Sequence, residues 1–143
     1  MNKFRLLSIF LLMVSSQIFA GSFYSSPSIG GSLATSVTIE NKGIYNLVIS
    51  VQFLTEPFDK TPFTSNKYEE MIQRLNVEWR GEVLKTVLES SEYKVSDLSA
   101  LKNKIDGNIA KLIAGAKKKH GVKSDVEVVY SIGSFYLVNL NKE

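Results

Sequence analysis

Apolar residues recur with two different periods along this chain, and the switch between them marks the elements. Val37 and Ile39 alternate with Thr38 and Glu40, and Leu47, Ile49, Val51 and Phe53 alternate with Asn46, Val48, Ser50 and Gln52. A period of two is that of a half-buried strand. Asn41-Lys42-Gly43 lies between the two runs, and Gly43 can take a positive φ, so the pair predicts a β-hairpin.

Pro57 and Pro62 then stop the β pattern, and Glu56 to Thr64 reads as a loop carrying Phe58 and Phe63. From Asn66 the period changes to three and four. Tyr68, Ile72, Leu75, Trp79, Val83 and Val87 line one helix face, widened by Met71, Leu84 and Leu88. Asn66 fits an N-cap with Glu69 at the third helical position, and the helix runs to about Glu89. Gly81 weakens its middle without ending it.

Ser90 to Lys94 breaks the pattern, after which Ser96 or Asp97 caps a second helix. Its stripe is Leu98, Leu101, Ile105, Ile109, Leu112 and Ala116, and Gly121 is placed to end it. Val126, Val128, Tyr130 and Ile132 alternate again as a strand. Gly133 marks a bulge before Phe135 to Val138 continue it.

The order β-β-α-α-β predicts an α+β fold. An antiparallel-dominated sheet, made of the hairpin and the C-terminal strand, carries both helices on one face. Residues 35–141 form this single domain. The stretch before it, residues 21–34, is rich in Ser and Gly and reads as a flexible lead-in, with an edge segment around Leu33.

Residues 1–20 follow the layout of a secretory signal peptide. Lys3 and Arg5 precede an apolar run from Leu6 to Val14, and Ala20 is the expected cleavage position. The alternative is that the segment stays as a membrane anchor. Export, with a periplasmic and inner-membrane-associated location, is the expectation. The chain has no Cys, so disulfides cannot staple it and its stability must come from the core. The net charge of +3 falls to about +1 once Lys3 and Arg5 are set aside, too little to imply nucleic-acid binding.

Catalytic sets are hard to assemble from what remains. His120 is the single histidine, it follows Lys117, Lys118 and Lys119 at a helix end, and no acid adjoins it. One His without Cys leaves the usual zinc sets unfilled. Gly30-Gly31 lacks the Lys-Ser or Lys-Thr of a phosphate loop. The carboxylates Glu69, Glu70, Glu89, Glu92 and Asp106 read as solvated or dipole-complementing charges. The chain is therefore expected to be non-enzymatic and to need no cofactor. Its candidate interface residues are Phe58 and Phe63 on the proline-bearing loop and Lys117, Lys118 and Lys119, which suit an acidic protein or an anionic membrane surface.

Tyr45 to Phe53, the helix end Glu82 to Ser91, the second helix, and Val128 to Val138 together resemble the periplasmic domain of the flagellar basal-body-associated FliL family, itself similar to the stomatin/prohibitin domain. The resemblance covers about Val37 to Leu140. It implies a non-enzymatic protein attached to or exported across the inner membrane, self-associating into homo-oligomers around the flagellar stator and contacting that membrane complex. The loop from Pro57 to Thr64 and the cleavable leader depart from the family pattern, and no functional residue is carried over. The competing expectation is a secreted or periplasmic inhibitor or effector, unrelated to motility, that docks through Phe58 and Phe63.

Overall fold

The computed structural model describes residues 28–55 and 65–140. The leader, most of the lead-in, and the loop bearing Phe58 and Phe63 lie outside the described residues. Within them the order is β1 (Ser28–Ile39), β2 (Gly43–Leu54), α1 (Ser65–Val87), a 3-10 turn (Val95–Asp97), α2 (Leu98–His120) and β3 (Tyr130–Asn139). This is the α+β order read from the periodicity.

The sheet is open and fully antiparallel, with β2 between β1 and β3. The turn between β1 and β2 holds Asn41 at φ 59° and Gly43 at φ 91°, and the Lys42 N–H donates to the Ile39 carbonyl at 2.9 Å. A side chain with a local hydrogen-bonding tip and a residue without Cβ are the two that accept this backbone most easily. In the β2–β3 register Ser50 faces Ser134 and Val51 faces Ile132, so Gly133 is the extra residue of a bulge.

The lead-in assignment is corrected at its end. β1 begins at Ser28 and not near Thr35, and Ser28 to Ala34 pairs residue by residue with Leu54 to Val48. Gly30 and Gly31 looked like punctuation because no side chain reports the period there. In the sheet crowding requires glycine at Gly30, where a Cβ would lie 2.4 Å from the Val51 carbonyl oxygen; a Cβ on Gly31 would meet only the Arg80 guanidinium, the movable end of a side chain.

One face of the sheet packs on the helices. Leu47, Ile49, Val51 and Phe53 of β2 are buried, with Val37 and Ile39 of β1. Against them α1 presents Tyr68, Met71, Ile72, Leu75, Trp79, Val83 and Val87, all buried. Leu88 lies outside this stripe and is exposed, because α1 ends before it. From α2 the buried residues are Leu101, Ile105, Ile109, Ile113 and Ala116, while Leu98 and Leu112 are only partly covered.

Two caps differ from expectation. Asn66 lies inside the first turn of α1, which starts at Ser65. Asp97 takes the N-cap position of α2 as expected, but its carboxylate makes no cap bond there; it accepts the backbone N–H of Lys94 at 3.1 Å and closes the 3-10 turn. Gly121 ends α2 as expected, in the left-handed conformation at φ 64° with its N–H on the Lys117 carbonyl. The last strand starts at Tyr130, so Val126 and Val128 precede it as irregular chain.

Tyr93, in the stretch that breaks the helical pattern, has a role the periodicity did not show. It bridges to the edge of β1, its N–H donating to the Thr38 carbonyl and its carbonyl accepting from Glu40, both at 2.9 Å. Its buried hydroxyl donates to the Val87 carbonyl at 2.5 Å, satisfying one of the acceptors left open at the end of α1.

Candidate protein-binding surface

The helices cover one face of the sheet only. The residues pointing the other way are Ser28, Gly30, Ser32, Ala34 and Ser36 on β1, and Asn46, Val48, Ser50 and Gln52 on β2. On β3 they are Ser131, Ser134, Tyr136 and Val138. None carries a charge, on a face about 33 Å long and about 14 Å wide.

This face is divided. Small and hydroxylated side chains fill the end near Ser28, where Ser50 and Ser134 sit opposite each other. Toward the hairpin turn it becomes apolar: Val48 pairs with Tyr136, Asn46 pairs with Val138, and Ile44 and Leu140 flank them. Ile44 and Tyr136 are each 53% exposed, Leu140 50% and Val138 41%. Water contact with that much apolar surface is unfavourable by ~25 cal/mol per Å², and contiguous patches of this kind mark interaction surfaces. The sequence held a signal for it. The run Phe135 to Val138 is apolar on both strand faces, more than a single helix layer can bury.

The strand edges share the uncharged character. Neither β1 nor β3 contains a charged residue or a proline, the usual devices that block pairing with another chain. Tyr93 covers the β1 edge at Thr38 to Glu40. Among the described residues no further strand pairs with β3 on the side away from β2.

Open spaces flank α2, two of them against the chain that follows it and one against β3. A cavity of about 520 Å³ is lined by Ile113, Lys117, Val126, Val128 and Tyr130 among others, and an adjoining one of about 450 Å³ shares Ala110, Ile113, Lys117 and Ser124 with it. At the other end of α2 a gap of about 170 Å³ opens between Leu98, Ser99 and Lys102 and Phe135 to Leu137. The Tyr130 hydroxyl ties β3 to α2, donating to Asp106 Oδ1 at 2.8 Å. Burial of the phenol, together with that hydrogen bond and the Asp106 charge, pushes its pKa up to about 12.

Of the other interface candidates, the three lysines are split by the structure. Lys117 turns back, its Nζ donating to the Ser124 carbonyl at 3.2 Å, and helps fix the chain after α2. Lys118 and Lys119 are exposed. Phe58 and Phe63 lie outside the described residues. His120 differs from its expected exposure: it is half-buried, and its Nε2 has no hydrogen-bond partner.

Among the described residues no group of three or more His, Cys, Asp or Glu is placed to hold a metal ion, and no helix is long and apolar enough to cross a membrane. The Glu89 carboxylate, held below its usual range first by its hydrogen bond to Lys104, is an exposed ion pair between the helices. No protein-family model, curated protein or solved structure matches the chain.

Proposed function

We propose that the chain is an exported, non-enzymatic accessory protein that acts by binding other protein. It self-associates and contacts an inner-membrane complex, as the resemblance to the FliL family implies. One observation carries the reading: the uncovered outer face of the sheet is uncharged throughout and apolar at Ile44, Tyr136, Val138 and Leu140. A surface of that composition is stable in water mainly when something covers part of it. The absence of Cys from the sequence makes the test direct. A single Tyr136→Cys chain, expressed in its native host and treated with a thiol cross-linker, should give species of higher mass, and a Gln73→Cys chain, altered at an exposed position of α1, should give none. If both stay at monomer mass, the outer face is not a binding surface. The motility part is tested separately, by deletion of the gene: a strain that swims normally at low and high viscosity removes the flagellar reading and leaves the binding surface standing.

A further inference from the structure

Arg80 is held at the edge of the sheet by contacts that fix its position without neutralising it. Its guanidinium stacks over the Trp79 ring, 4.9 Å from the centroid, and Nη1 donates to the Asn76 carbonyl at 2.7 Å. The far end of the group lies over Gly31 of β1, where any side chain would take its place. The ion pairs among the described residues are Arg74–Glu78, Lys94–Glu40 and Lys104–Glu89, and Arg80 enters none of them. A half-buried planar cation, held still and lacking a carboxylate, has the geometry that recognises one bidentately.

The outer edge of β1 runs beside it. Among the described residues no further strand pairs with β1 on the side away from β2. Tyr93 bridges only the far end, at the Thr38 carbonyl and the Glu40 N–H. Backbone groups alternate in direction along a strand. Gly30, Ser32, Ala34 and Ser36 therefore turn their N–H and C=O outward, as Thr38 and Glu40 do.

We propose that this edge receives an extended segment of a partner protein, one of whose acidic side chains pairs with Arg80. The segment adds to β1 as a further strand and takes up the outward backbone groups from Gly30 to Ser36. Neighbouring strands lie about 4.8 Å apart, so an Asp or Glu directly opposite Gly31 reaches the guanidinium above that glycine. Two positions to either side the segment faces Ile29 and Leu33, both partly buried on the helix side of the sheet. The pattern recognised is therefore an acidic residue with apolar residues two places before and after it. A second copy of this chain does not supply that pattern from a sheet edge, because β1 and β3 contain no charged residue. Pairing either of them with β1 would leave Arg80 without its counter-charge.

The site is separate from the apolar patch of the outer face, and it holds whether or not that patch binds. The probe is a phage-displayed library of random decapeptides selected on the full-length protein in mild detergent. Enriched sequences should carry the apolar-x-acidic-x-apolar pattern. A synthetic peptide from the pool should slow amide hydrogen exchange at Gly30, Ser32, Ala34 and Ser36. The same peptide with its acid replaced by the amide should bind the parent protein at least tenfold more weakly, a comparison that needs no protein variant. Arg80→Met, which keeps an apolar stem against Trp79, should bind the acidic and amide peptides alike while leaving thermal unfolding and the Tyr136→Cys cross-link unchanged. No enrichment over the naive library overturns the proposal. So does a peptide that protects β3 in place of β1, or one that the parent binds equally well in its acidic and amide forms.

Discussion

Replacing Gly30 by alanine sets the strand reading of the Gly-Ser-rich segment against its reading as a flexible lead-in. A Cβ at Gly30 would meet the Val51 carbonyl oxygen at 2.4 Å, Gln52 Cγ at 2.8 Å and Gln52 Cα at 2.9 Å. The Gln52 side chain can swing aside. The other two contacts are backbone of the central strand, and ordinary carbon–oxygen contact needs about 3.3 Å, so β1 must retreat by roughly 1 Å around its pairing with Gln52. Overpacking of this kind costs about 1–3 kcal/mol, and weakening one or two ladder hydrogen bonds adds about 1 kcal/mol. Reduced freedom of the unfolded chain returns about 0.4–1 kcal/mol. The expected net loss is about 2 kcal/mol. Urea unfolding followed by circular dichroism and by the fluorescence of Trp79, the only tryptophan, reads it directly. Gly107→Ala is the internal control, since Gly107 is exposed in α2 with nothing within 4 Å of a new Cβ; it should gain about 0.5–1 kcal/mol. If Gly30→Ala unfolds at the parent's urea concentration or above it, the N-terminal half of β1 is not paired with β2.

Trp79 is fully buried and its Nε1 has no hydrogen-bond partner. Trp79→Ala should cost about 3–5 kcal/mol, whereas Trp79→Phe should stay within about 1 kcal/mol of the parent because removing an unsatisfied donor offsets the lost ring atoms; equal losses in the two variants would show that the indole N–H is satisfied. Thr86 is buried between the helices, its hydroxyl donating to the Glu82 carbonyl at 2.8 Å and accepting from Asn108 Nδ2 at 3.0 Å. A double-mutant cycle with Thr86→Val and Asn108→Ala should yield a coupling of about 0.5–1.5 kcal/mol, and additive effects would show that this bond contributes nothing. Tyr130 has a folded pKa of about 12, above the ordinary phenol value of 10.0. Its protonated form is favoured in the fold, so this contribution is complete below pH 10 and is lost as pH rises from 10 toward 12. Tyr68 and Tyr93 are raised as well, chiefly by burial, and share that sign. Tyr130→Phe should therefore lose less stability than the parent between pH 9 and 11 in matched thermal scans, and parallel curves would show that Tyr130 does not titrate with unfolding.

The amino-acid sequence by itself determined the elements whose side chains repeat with a clear period. The alternation of β2, the buried stripe of α1, the Asn41-to-Gly43 turn, Gly121 at the end of α2 and the bulge at Gly133 were all legible, because each is set by neighbours within a few residues. The first half of β1 was not. Glycine and serine carry no hydrophobic period, and what makes Gly30 a strand residue is the Val51 carbonyl about twenty positions away. Ile113 joined the buried face of α2 and Leu112 was left half-covered, because helix periodicity fixes a stripe but not the direction from which α1 approaches it. Tyr93 took partners on β1 that depend on how the chain doubles back. The exposed apolar patch was legible only as a run of apolar residues too rich for one face of a strand. That its outer face stays uncovered follows from both helices packing on the opposite side of a single three-stranded sheet. That choice of side exists only in the assembled fold.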